Sequence, residues 1–182
     1  QDSLRRFNIV AGQVLLTAGD LDNPVHRSNA QRAMERLLNL RILPIVNEND
    51  TVATHEIRFG DNDRLAAMVA QLVEADALVL LSDVESLYTR PPSEPGAEPI
   101  DRVAFADPLT GLEFGSVGIA GVGTGGAATK VSAARLAAAS GVGVLVTSSE
   151  LVAEALSGAE IGTWFEPSPD GRPTRTIGRL GE

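Results

Sequence analysis

The sequence predicts an α/β domain with helices layered on a mostly parallel sheet, and three observations carry that prediction. Short apolar runs of strand length alternate along the chain with segments whose apolar residues recur at helical spacing. Some runs, such as "ALVLL" at residues 77–81, are apolar without interruption, as strands buried on both faces are. Polar clusters follow these runs at their carboxyl ends, where parallel sheets gather ligands.

In chain order, "QDSLRRFNIV" reads as the tail of a helix entering a strand, with Arg5 and Arg6 on a solvated face. "QVLLT" (13–17) is the first strand and "DLDNPVHR" (20–27) a polar loop. In "SNAQRAMERLLNL" (28–40), Ala30, Ala33, Met34, Leu37 and Leu38 share one helical face, the stripe of a helix lying on a sheet. "ILPIVN" (42–47) is the next strand, with Pro44 marking an irregular start. "TVATHEIRF" (51–59) alternates loosely and reads as a small hairpin or extended excursion. Residues 62–75 form a helix, capped by Asp61 and carrying Asp63 in its first turn. "ALVLLSD" (77–83) is a buried parallel strand, and "PPSEPGAEP" (91–99) an exposed loop. Residues 129–141 form a helix closed by Gly141. "VGVLVTSS" (142–149) is another strand, "ELVAEALSG" another helix and "GTWFEP" a last short strand.

Composition narrows the function classes. The chain has 182 residues, 43% hydrophobic and 21% charged, which is the balance of a globular protein rather than a disordered one. Fifteen Lys and Arg against 24 Asp and Glu leave a formal charge of -9. Such a balance argues against general binding to nucleic acid or membrane surfaces, which needs a basic face. An anionic ligand stays open, because a helix start and one or two cations hold a phosphate locally. There is no cysteine, so thiolate chemistry and disulfides are excluded.

"GVGTGGAATK" (121–130) places four glycines in six residues ahead of an alanine-rich helix and ends in Lys130. By letter it contains G-x-G-x-x-G, but "LEFGSVGIA" before it is a poor strand, and the following strand ends in hydroxyls rather than an acid. A P-loop fails too, since Thr129 and not glycine precedes Lys130. Both motifs share a physical principle that survives here. Bare backbone lets amides converge on an oxyanion, a helix start adds partial positive charge, and a lysine in the first turn adds a full one. A plain loop with a snorkelling lysine is the alternative.

"NEND" (47–50), "GDND" (60–63) and the pair Ser82–Asp83 interleave carboxylates with amides and a hydroxyl. Mixed donors and acceptors suit a zwitterionic ligand better than a metal cage, and no metal site is predicted. Taken singly, Asp61 and Asp63 are as readily caps, and Asp50 a turn residue. His26 and His55 lack zinc-site spacing, and Trp164 and Tyr88 read as packing residues.

Together, "AGQVLLT", "LPIVNENDTVATHEIRFGDNDRLAAMVA", "LVLLSDVESLYT" and "GVGTGGAATKVSAARLAAASG" resemble, in this order and spacing, the glutamate 5-kinases of the amino acid kinase family, from about Ala11 to about Phe165. The resemblance implies an open αβα sandwich that transfers the γ-phosphoryl group of ATP, carried with Mg²⁺, to the side-chain carboxylate of L-glutamate in a cytoplasmic proline-biosynthesis step. It implies glutamate-binding roles for Asp50 and Asn62, with Asp61 beside them. Ser82 and Asp83 match a nucleotide-contacting pair. Thr124, Gly125, Gly126, Ala127, Ala128, Thr129 and Lys130 match the loop around the nucleotide phosphates. Lys130 would steady charge on the transferred group, and Asp63 would organise the catalytic lysines. A homo-oligomer and feedback inhibition by proline are also implied.

The match begins well inside the family domain, so residues 1–182 are expected to form its C-terminal two thirds. The lysine-bearing first strand, its glycine/serine-rich loop, the serine-bearing substrate loop and the C-terminal RNA-modification-type (PUA) domain of many members are expected to lie outside residues 1–182. The chain alone is therefore expected to keep most nucleotide contacts and to lack turnover. A non-catalytic nucleotide or amino-acid sensor, and a kinase for another carboxylate, are the competing readings.

Overall fold

Thr17 ends one strand and starts a helix, and that switch sets the first of two units. The computed structural model describes residues 2–49, 62–110 and 126–171, and the chain divides into units spanning residues 1–65 and 66–182. In the first, α1 (Asp2–Arg5) leads to β1 (Val10–Leu16), and α2 (Ala18–Asp22) and α3 (Pro24–Asn39) carry the chain back to β2 (Ile42–Glu48). The strands pair in parallel from Val10↔Ile42 to Leu16↔Glu48. Arg6 sits over the Phe7 ring, 4.8 Å from its centroid.

Residues 20–27, expected as a loop, are largely helical. The residue types that looked like loop formers act as helix starters. The Thr17 hydroxyl accepts from the Asp20 amide at 3.1 Å, while Asp20 Oδ2 accepts from the Thr17 amide at 2.9 Å and from its hydroxyl at 2.7 Å. This reciprocal capping box opens α2. Asn23 Oδ1 then accepts from the amides of Val25 and His26, and Pro24 follows where no helical amide is needed. Met34 is buried, Ala30 and Leu37 are half-buried, and Ala33 and Leu38 are exposed, so the stripe of α3 is narrower than the sequence predicts.

The hydroxyl of Thr17 first, then its amide, hold the Asp20 carboxyl below its ordinary value of 3.8, with His26 Nδ1 3.1 Å away adding to the effect. A depressed carboxyl contributes stability that is present above pH 3.8 and lost as pH falls through the folded value. Replacing it in Asp20→Asn is expected to flatten the acid limb of unfolding measured from pH 5 downward; a limb as steep as that of the unaltered chain would contradict this assignment.

In the second unit, α4 (Asn62–Leu72), which starts in the first, leads to β3 (Ala77–Ser82). A hairpin of β4 (Leu87–Tyr88) and β5 (Pro99–Ile100) and a short β6 (Arg102–Val103) follow. Then come α5 (Ala127–Ala139), β7 (Gly143–Ser148), α6 (Val152–Leu156) and β8 (Thr163–Phe165). The sheet runs β3-β7-β8-β6, with β3/β7 and β6/β8 parallel and β7/β8 antiparallel. The hairpin at 87–100 and the strand at 102–103 were not predicted: two-residue strands leave no readable alternation.

Val144, Val146, Leu80 and Phe165 pack with Val131, Ala134 and Ala137 of α5 in one core. Each larger member stabilises by about 1.5–3 kcal/mol through burial. Leu145 and Trp164 point to the opposite face, where Ala155 of α6 joins them along a groove of about 580 Å³. Helix, sheet and helix thus form three layers, as the predicted α/β class requires. Among the described residues no helix is long and apolar enough to cross a membrane.

Candidate functional site

The register of β3 and β7 sets one end of the site. Ala77↔Gly143 through Ser82↔Ser148 are paired, so Ser82 and Ser148 finish side by side, and the Ser149 amide extends the ladder to the Ser82 carbonyl at 3.2 Å. The Ser82 hydroxyl donates to Asp83 Oδ1 at 3.2 Å, and the Asp83 carboxylate stands exposed beyond the strand.

The turn between α5 and β7 brings Gly126 and the first turn of α5 to that same end. Gly141 takes a left-handed φ of 86°. Its amide donates to the Ala138 carbonyl, and that of Val142 to the Ala137 carbonyl. This two-bond reversal is the one that ends helices on glycine, and it returns the chain along the sheet. Thirteen helical residues rise about 20 Å, and six strand residues about the same. The start of α5 therefore lies level with the carboxyl ends of β3 and β7. Alanines on the buried face of α5 let it approach the sheet closely.

Gly126 is the N-cap of α5, and among the described residues no side chain caps this helix start. The amides of Thr129 and Lys130 donate to the Gly126 carbonyl at 3.1 and 3.3 Å, and the Thr129 hydroxyl donates to it at 2.8 Å. The first-turn amides of Ala127 and Ala128 have no partner within the helix, because the ladder has not begun there. Together with the helix dipole, amides in that position favour an anion. Lys130 is half-buried in the same turn.

Gly126 has ordinary backbone angles and open space where a Cβ would project. Sterics in the described structure therefore do not demand glycine, whereas a ligand against the amides would. Gly126→Ser is expected to stabilise α5 by a few tenths of a kcal/mol as an N-cap and to weaken nucleotide binding several-fold. A thermal midpoint and a nucleotide titration check both halves, and unchanged affinity would free this position from the site.

Of the predicted residues, the structure brings Ser82, Asp83, Gly126, Ala127, Ala128, Thr129 and Lys130 to one end of the second unit. Asn62 and Asp63 open α4, the first exposed and the second half-buried. Asp50, Asp61, Thr124 and Gly125 lie outside the described residues, as does His55. Ser148 and Ser149 complete the strand edge beside Ser82; the sequence shows a strand ending in hydroxyls there, but assigns them no role. Among the described residues no group of three or more His, Asp or Glu is placed to hold a metal ion.

Comparison with known proteins identifies the family and the fold. Residues 1–148 match the profile of the amino acid kinase family. A glutamate 5-kinase of Clavibacter sepedonicus is 73% identical over 167 residues, which are 92% of this chain and 64% of that protein. One from Leifsonia xyli subsp. xyli is 70% identical, over 93% of this chain and 63% of its own length. The chain thus spans just under two thirds of these relatives. Among solved structures, E. coli aspartokinase III in complex with aspartate and ADP shares the fold, with a TM-score of 0.56 at 18% identity over 92% of this chain and 37% of that one.

Proposed function

The chain belongs to the amino acid kinase family, and from that premise we propose that it carries the nucleotide-binding part of a glutamate 5-kinase. The reaction moves the γ-phosphoryl group of ATP to the side-chain carboxylate of L-glutamate. The observation that carries the reading is the start of α5, where among the described residues no side chain caps Gly126, with the amides of Ala127 and Ala128 ahead of the helical ladder and Lys130 in the same turn, level with Ser82 and Asp83.

Phosphoryl transfer asks a protein for positioning and for cations, with little covalent chemistry. The acceptor carboxylate is already ionised, so no general base is needed. In this reading the amides of Ala127 and Ala128 hold the phosphate oxygens, with Thr124, Gly125, Gly126 and Thr129 completing the loop around them. Lys130 takes up charge that develops on the transferred group. Asp83 and Ser82 orient the nucleotide at the strand edge. Asp50, Asn62 and Asp61 hold glutamate, and Asp63 orients the catalytic lysines. Mg²⁺ bound to ATP neutralises phosphate charge. Cytoplasmic operation, a homo-oligomer and inhibition by proline belong to the same proposal.

About a third of the length of these two relatives has no counterpart in the chain, so turnover is proposed for a domain that includes it. Joining the unmatched part of the Clavibacter sepedonicus relative to this chain provides a testable protein. ADP release should then require glutamate, and aspartate or N-acetylglutamate should substitute poorly. Preference for either of those would overturn the substrate, and binding without ADP release would favour a sensor.

A further inference from the structure

The sequence read Tyr88 as packing and gave Thr163 no role, yet Thr163 is fully buried with its hydroxyl doubly engaged. The amide of Leu87 donates to Thr163 Oγ1 at 2.8 Å, and that hydroxyl donates to the carbonyl of Ile100 at 2.5 Å. Leu87 and Ile100 are cross-strand partners in the β4/β5 hairpin. One side chain on β8 thus clips both strands of a hairpin that lies more than sixty residues away in sequence.

The clip acts on a hairpin that cannot hold itself. Its ladder has only two residue pairs, Leu87↔Ile100 and Tyr88↔Pro99, supplemented by bonds between Thr89 and Glu98. A two-stranded ribbon of that length is not independently stable. Burial of the Leu87 side chain fixes its depth in the core, but apolar packing has no direction. The Thr163 hydroxyl supplies the direction, since hydrogen bonds weaken steeply off axis. Thr163 is itself set by its pairing with Val146 of β7.

The segment it governs is short. Ser82 is held by the β3/β7 ladder, Leu87 by Thr163, and residues 83–86 run between these two fixed points. Asp83 lies in that span and Tyr88 just past it. We propose that Thr163 is a positioning residue for the nucleotide: it acts through Leu87 to hold the span that carries Asp83. This rests on the nucleotide reading of the Ser82–Asp83 edge. A hydroxyl accepts from Leu87 and donates to Ile100 through a single atom, which serine can reproduce and valine or alanine cannot.

The 182-residue chain suffices for the test, with MgADP as probe, calorimetry for affinity and amide hydrogen exchange at Leu87 for the clip. Thr163→Val keeps the shape and removes both bonds. It is expected to speed Leu87 exchange and raise the Kd for MgADP about tenfold, a loss of about 1.4 kcal/mol. Thr163→Ser should restore both to within about twofold of the unaltered chain. Thr163→Ala, which leaves space for a bridging water, runs beside valine in case the latter does not fold, and should fall between valine and serine. Faster Leu87 exchange with unchanged Kd in either variant would overturn the proposal and leave Thr163 a structural clip. An unaltered chain whose Leu87 amide is unprotected overturns it as well. Absence of MgADP binding by the unaltered chain, with Leu87 protected, instead removes the nucleotide reading beneath it.

Discussion

Lys130→Ala is expected to lower kcat by about 10²–10³-fold in the domain completed with the unmatched part of the Clavibacter sepedonicus relative, the range found when one preorganised donor to a transition-state anion is removed. Uncapped amides at the start of α5 can bind a phosphate tail in the ground state without the lysine. What the ammonium adds is a full charge, where negative charge is redistributed as the phosphoryl group leaves. The loss should therefore fall equally on kcat and on kcat/KM, the pattern of an interaction made in the transition state. Lys130 is half-buried in the first turn of a helix, so the thermal midpoint should move little, by the equivalent of about 0.5 kcal/mol. A kcat within a few-fold of the unaltered domain would take Lys130 out of the mechanism.

Gly162→Ala carries the largest expected effect on stability. Gly162 has a φ of 74°, in the left-handed region, where a residue with a Cβ costs roughly 1–2 kcal/mol. There is also no room: the Cβ would overlap the Val146 carbonyl and stand 2.9 Å from Thr147 Cβ. Val146 is the β7 partner of Thr163 in the ladder, so the obstructing carbonyl belongs to the sheet and cannot swing aside as a side-chain tip would. Overpacking of that kind adds about 1–3 kcal/mol, for a total of about 3 kcal/mol. In a chain of this size that lowers the unfolding midpoint by roughly 6–12 °C. Trp164, the single tryptophan, lies two residues on and reports the transition by fluorescence. A shift under about 2 °C would mean that the strand start relaxes more readily than these distances allow.

Elements with long, uninterrupted or periodic patterns were legible from sequence. The apolar run at residues 77–81 is β3, the alanine-rich stretch before Gly141 is α5, and residues 142–149 contain β7. The start of α2 and α3 was misread because Asp20, Asn23 and Pro24 signal a loop and a helix cap equally well. Only the reciprocal bonds of Thr17 and Asp20 decide between them. The hairpin of β4 and β5 was invisible because its ladder is two pairs long and its anchor, Thr163, lies in a different part of the chain.

The junction of Gly126, the start of α5 and Lys130 was legible as a candidate anion site because its physics is local: bare backbone, a helix start and a lysine in one turn. Its proximity to Ser82 and Asp83 was not local. It follows from the register of β3 with β7 and from the Gly141 reversal that lays α5 back along the sheet.

Amide chemical shifts of the 182-residue chain during titration with MgADP test the central claim most directly. The account predicts that the largest shifts fall on the amides of Ala127, Ala128, Thr129 and Lys130, with a second set at Ser82 and Asp83 and little change in α3. Shifts centred instead on the groove beside Trp164, or none at saturating nucleotide, would contradict it.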